Sequence, residues 1–153
     1  MPDPAEPRRM AIRGLHHLTL ISSDLQATTA FYRDLLGLAL VQESTSDDDP
    51  DARHYWFDTG GGQRISFLEY SSMDPGVVGK GSTHHIALTV DSGEELAGWR
   101  DYLEQHGVAT SEIFSRNGFH SLYLRDPDGH ILELATRVGV AAPPPAPPVP
   151  MSS

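Results

Sequence analysis

Three residues invite chemistry by type and spacing: His17, His85 and Glu133. His17 is the second histidine of "GLHHLTLISSD" (14–24), and His85 is the second of "THHIALTVDS" (83–92). Both pairs stand at the head of an apolar run that reads as a strand, where residues two apart share a face. His17 and Thr19 therefore lie opposite Leu18 and Leu20, and His85 and Ala87 lie opposite Ile86 and Leu88. In "FHSLYLRDPDGHILELAT" (119–136), Leu122, Leu124, Leu132 and Leu134 form one apolar layer, which leaves Ser121, Tyr123, Ile131, Glu133 and Ala135 on the other face. A carboxylate alternating with leucines inside a strand is costly unless its charge is compensated. Two neutral imidazoles and one carboxylate on three strands, with no fourth protein ligand, is the pattern of an open divalent-metal site. It matches in particular the two-His-one-carboxylate set of non-haem Fe(II), although Mn(II), Ni(II) and Zn(II) suit the same donors. The chain has no Cys, so imidazole and carboxylate are the only strong metal ligands available.

The elements that must position these residues occur twice. A strand at 14–22 is followed by "SSDLQATTAFYRDLLG", a helix capped by Ser23 or Asp24, with Leu25, Thr28, Phe31, Leu35 and Leu36 on one stripe and Gly37 at its end. Three short strands follow: "LALVQEST", "RHYWFDT" and, after the turn "GGGQ", "RISFLEY". Beyond a Gly- and Ser-rich connector the order recurs, with the strand "HHIALTV", the helix "EELAGWRDYLEQHG" and the strands "SEIF", "FHSLYLRD" and "HILELAT". The fold class expected is α+β: two paired βαβββ modules, about 14–70 and 84–136, forming a curved mixed-sheet cup with the helices outside. The domain spans 13–138, between a flexible N-terminus (1–12) and a Pro-rich disordered tail (139–153). Aligning the two glycine turns sets "GQRIS" over "GHILE", so Ser66 takes the place that Glu133 holds in the second module. Glu69, an odd number of residues beyond Ser66, faces away from the hollow. His54 and Trp56 share the hollow's parity, with Trp56 opposite Tyr123 by repeat, and with Ser66 they are candidate walls of a substrate pocket.

A net charge of −10 with only 11 basic residues argues against a phosphate-backbone partner, so no nucleic acid is expected. No segment approaches the ~18 consecutive apolar residues of a membrane span, and the N-terminus carries no apolar signal region, so the expectation is a cytoplasmic protein without a membrane partner. The acidic run "SDDDPD" (46–51) reads as a solvated loop rather than a Ca²⁺ site.

The strings "GLHHLTL", "DLQATTAFYRDLLGL", "THHIALTV" and "DPDGHILELAT" resemble the vicinal oxygen chelate superfamily, which includes glyoxalase, fosfomycin and bleomycin resistance proteins and extradiol dioxygenases. The resemblance implies a cup of paired βαβββ units with a metal at His17, His85 and Glu133. It also implies a small-molecule substrate and a homodimer; in members that exchange modules, His17 serves the partner's site. The stretch from "WRDYLEQHG" to "LELAT" and the doubled "HH" are similar to hydroquinone-cleaving dioxygenases. In that group the positions matching His16, Thr19, His84, Arg116 and Tyr123 surround the metal as catalytic or orienting residues.

That likeness implies a non-haem Fe(II) ring-cleaving dioxygenase using O₂ on a catechol- or hydroquinone-type aromatic substrate. Such enzymes are about twice as long and have four modules. The alternatives are a glyoxalase or fosfomycin-resistance type isomerase or transferase, and a metal-free drug-binding resistance protein. The chain's single lysine, Lys80, weighs against a phosphonate or thiol pocket, which usually gathers several cations.

Overall fold

The computed structural model describes residues 11–137; the N-terminal residues before them and the Pro-rich tail expected at 139–153 lie outside the described residues. The first module runs β1 (His17–Ser22), α1 (Leu25–Thr29), α2 (Ala30–Leu35), β2 (Ala39–Thr45), β3 (Arg53–Asp58) and β4 (Arg64–Glu69). The second runs β5 (Ile86–Val90), α3 (Gly93–Gln105), β6 (Phe114–Arg116), β7 (Phe119–Arg125) and β8 (Ile131–Thr136). Each module makes one four-stranded sheet, in the orders β1-β4-β3-β2 and β5-β8-β7-β6. In both, the first strand runs parallel to the last and the remaining neighbours pair antiparallel. The α+β architecture and the internal repeat are as the sequence predicts. No described helix is long and apolar enough to cross a membrane.

Period-two patterning decides what each sheet buries. Leu20, Phe57, Ile65 and Phe67 of the first sheet are buried, as are Leu122, Leu124, Leu132 and Leu134 of the second. Each buried Leu or Phe side chain contributes roughly 1.5–3 kcal/mol relative to exposure. Against these layers pack Leu25 and Tyr32 in one module and Leu96 and Leu103 of α3 in the other. The opposite face is open at the first strands: His17, Thr19 and Ile21 are exposed on β1, and Ala87 and Thr89 on β5.

Two local features differ from expectation. The helix expected as one α-helix is α-helical only to Thr29 and continues as a π-helical turn, in which the Leu36 amide reaches back to the Phe31 carbonyl. In this wider turn the adjacent Phe31 and Tyr32 are both buried, which an α-helical stripe through Phe31 alone does not anticipate. In addition, β5 begins at Ile86 rather than at the histidines, so His84 and His85 precede the strand, and β6 is displaced to Phe114–Arg116.

Asp24 caps α1, accepting from the Gln26 amide, and Glu69 assists it. One Glu69 carboxylate oxygen accepts from the Leu25 amide at 2.7 Å and from Arg53 at 2.9 Å. Hydrogen bonding from Arg53, reinforced by the Leu25 amide, holds the Glu69 carboxyl below its ordinary pKa even though partial burial opposes this. A depressed folded-state pKa means that the stabilisation is present above the unfolded value, near ~4.3, and is lost as pH falls through the folded value. Glu69→Gln is therefore expected to cost about 1 kcal/mol at pH 7, as for loss of a helix cap. In denaturant melts the gap from wild type should close as the pH drops below about 4; a gap that is the same at pH 7 and pH 3 contradicts the assignment.

Candidate metal centre

Glu133 sits in the middle of β8, between β5 and β7, paired in register with Ala87 and Tyr123. It is 4% exposed. His85, one residue ahead of β5, brings its Nε2 to 3.0 Å from Glu133 Oε1. The His85 ring meets Tyr123 edge-on with centroids 5.5 Å apart. The Tyr123 hydroxyl accepts from Arg116 at 3.3 Å, and that guanidinium lies 4.5 Å from the Phe114 ring. The two Nδ1 atoms of His84 and His85 are 2.8 Å apart, so one ring donates to the other and the His85 ring is held in orientation.

The first module gathers a second set on its own hollow face. The rings of His16 and His17 share the same Nδ1 to Nδ1 contact at 2.8 Å. Trp56 stands between two imidazoles, 4.8 Å from the His17 ring and 4.6 Å from that of His54. Ser66, fully buried at the position equivalent to Glu133, has its hydroxyl 2.8 Å from His54 Nε2 and 2.8 Å from Thr19 Oγ1. Burial, with the positive potential of His17 adding in the same sense, pushes the His54 pKa down, while Asp47 opposes this.

Within one protomer the sequence-derived triad is split. His85 and Glu133 meet, but among the described residues no group of three or more His, Asp or Glu could hold a metal, so His17 does not join them. The two donors that do meet fit a divalent cation. Their 3.0 Å separation is about what two atoms each ~2.1 Å from one ion leave between them at a near-right angle. Without a metal the same 3.0 Å gap is an imidazole–carboxylate contact.

The ties between modules escaped sequence reasoning. The Tyr32 hydroxyl donates to Asp126 at 2.7 Å, the Ser23 amide donates to both oxygens of Asp128, and His130 Nε2 lies 2.8 Å from the Ile21 carbonyl oxygen. The "DPDGH" turn of the second module thus grips the end of β1 and the π-helical turn. Its spacing signals a turn, yet the sequence does not reveal that its side chains reach more than 90 residues back. Glu69 lies on the helix side, capping α1, and adds no ligand to the hollow.

The sequence profile of the Glyoxalase/Bleomycin resistance protein/Dioxygenase superfamily matches residues 14–134. The protein named "Putative ring-cleaving dioxygenase MhqE" from Bacillus subtilis is 33% identical over 71% of this chain, and the match covers 37% of MhqE. The metallothiol transferase FosB of Staphylococcus haemolyticus is 31% identical over 82% of this chain and 84% of its own length. A crystal structure from Bacillus subtilis described as a "putative dioxygenase" superposes with a TM-score of 0.74 at 33% identity, covering 82% of this chain and 41% of that one. The chain thus spans well under half the length of the dioxygenase-named relatives and most of the length of the transferase. It belongs to the glyoxalase/bleomycin resistance protein/dioxygenase superfamily.

Proposed function

We propose that the chain is a metal-dependent enzyme of the ring-cleaving dioxygenase kind, acting with O₂ on a catechol- or hydroquinone-type phenol. The metal would be held by His85 and Glu133 of one protomer and by His17 of the partner subunit. The observation that carries this reading is the buried Glu133 carboxylate converging with His85 Nε2 at 3.0 Å, in a hollow lined by Tyr123 and Arg116. Identity of about a third with ring-cleaving dioxygenases by name supports the reaction class. Pairing across a dimer is supported by three features: the split triad, the exposed Ile21 beside Thr19 on the open face, and the outer edges of β1 and β5, which no described strand pairs.

A bound Fe(II) would supply Lewis acidity toward a phenolic oxygen and electron exchange with O₂. The protein's own groups do the rest. The Arg116 guanidinium, supported over Phe114, offers positive charge to a phenolate, and the Tyr123 hydroxyl beside it can donate to the same oxygen. His84 fixes the His85 ring through the Nδ1 contact. Trp56, which packs beside His17 and would enter the site with it from the partner subunit, gives an apolar wall suited to an aromatic ring.

The test is oxygen uptake. Protein loaded anaerobically with Fe(II) and then mixed with O₂ and catechols or hydroquinones is expected to consume O₂ and yield ring-opened products; no uptake with any member of the series rejects the reading.

A second reading, a thiol transferase acting under Mn²⁺, is favoured by one observation, the near full-length match to FosB. Conversion of fosfomycin by thiol and Mn²⁺ under strict anaerobiosis would promote it over the first.

A further inference from the structure

The first module repeats the scaffold of the second but fills its hollow differently, and the difference is chemical. The register places Thr19 and Trp56 opposite Ser66, as it places Ala87 and Tyr123 opposite Glu133. Where the second module has Ala87, Glu133 and Ser121, the first has Thr19, Ser66 and His54, joined by two 2.8 Å hydrogen bonds. The fold does not require such a chain. At the position equivalent to His54, the buried Ser121 hydroxyl has no hydrogen-bond partner among the described residues.

We propose that Thr19, Ser66 and His54 form a proton relay that carries the hydroxyl proton of a phenol bound in the hollow to the His54 imidazole. This rests on the phenolic substrate class proposed above and assigns His54 a role at a distance from the reacting oxygen. Ser66 is fully buried between its two neighbours, so its hydroxyl donates to one and accepts from the other. If it donates to His54 Nε2, Thr19 donates to Ser66, and the exposed side of Thr19 Oγ1 presents lone pairs to the hollow. That is the arrangement that receives a hydroxyl donor. The substrate O–H bond breaks as Thr19 Oγ1 gains the proton. The proton of Thr19 passes to Ser66 Oγ and that of Ser66 to His54 Nε2, leaving a phenolate and an imidazolium with no change in electron count. The lowered pKa of His54 keeps the acceptor neutral before the step, and the Asp47 charge, which acts in the opposite sense, steadies the cation formed.

The relay requires the His54 proton on Nδ1 and a bare Nε2, which the metal-free protein itself reports. With ¹⁵N-labelled histidine, long-range ¹H–¹⁵N spectra at neutral pH are expected to show His54 as the Nδ1–H tautomer, with its Nε2 resonance displaced by Ser66→Ala and by Thr19→Val. An Nε2–H tautomer overturns the proposal whether or not the protein turns out to be a dioxygenase. In turnover, Thr19→Val and Ser66→Ala should lower kcat on a simple hydroquinone by about 100-fold, as expected for loss of a general base, with KM little changed. Thr19→Ser should retain activity. On a nitro-substituted catechol, already ionised at neutral pH, the deficit should vanish, whereas an equal deficit on both substrates overturns the relay.

Discussion

Glu133→Gln is expected to lower metal affinity by at least ~100-fold, more than loss of an outer-sphere partner typically costs, while leaving the metal-free protein as stable as the wild type or more so. The carboxylate is 4% exposed, and His85 Nε2 lies 3.0 Å from its Oε1. Without a cation, a carboxylate this deeply buried carries a desolvation cost, which a neutral amide of the same shape removes. Metal binding reverses the balance: wild-type melting temperature should rise with added metal, by mass action worth about 2.7 kcal/mol at a hundredfold excess over Kd, and the variant's should not. Melts with and without metal, alongside metal content after dialysis, check this. A variant that retains metal like the wild type would remove Glu133 from the centre.

Much of this arrangement was legible because strand parity is a strict local rule. Knowing only that β8 alternates leucines with other residues assigns Glu133 to the hollow face together with His17 and His85; in the structure His85 Nε2 lies 3.0 Å from Glu133 Oε1, while His17 stands apart from them. Parity also sends Glu69 to the helix side, where it caps α1. What parity cannot reach is the relation between modules. That depends on side chains at the "DPDGH" turn, where Asp126, Asp128 and His130 find partners in β1, its following loop and the π-helical turn, contacts between residues with no sequence periodicity in common. For the same reason the sequence pattern does not reveal the burial of Tyr32. Its stripe position is wrong for an α-helix, and it is buried because the turn is wider and Asp126 receives its hydroxyl.

The second large effect concerns His17, which lies on the first module's open face, apart from the pair it would complete. His17→Ala should abolish metal retention as completely as Glu133→Gln, although no described residue of its own protomer joins it to His85. If the site is shared, the two inactive variants should repair each other. Each mixed dimer holds one site lacking both residues and one that is fully wild type. Random exchange makes half the dimers mixed, so about a quarter of the sites are restored.

The decisive measurement is therefore the metal bound per chain, after dialysis, for each variant alone and for a one-to-one mixture refolded together. The account predicts about one equivalent for wild type, almost none for either variant and about a quarter for the mixture. Full metal content in His17→Ala, or a mixture no better than its components, would contradict a centre assembled from His85 and Glu133 of one protomer and the partner subunit's His17.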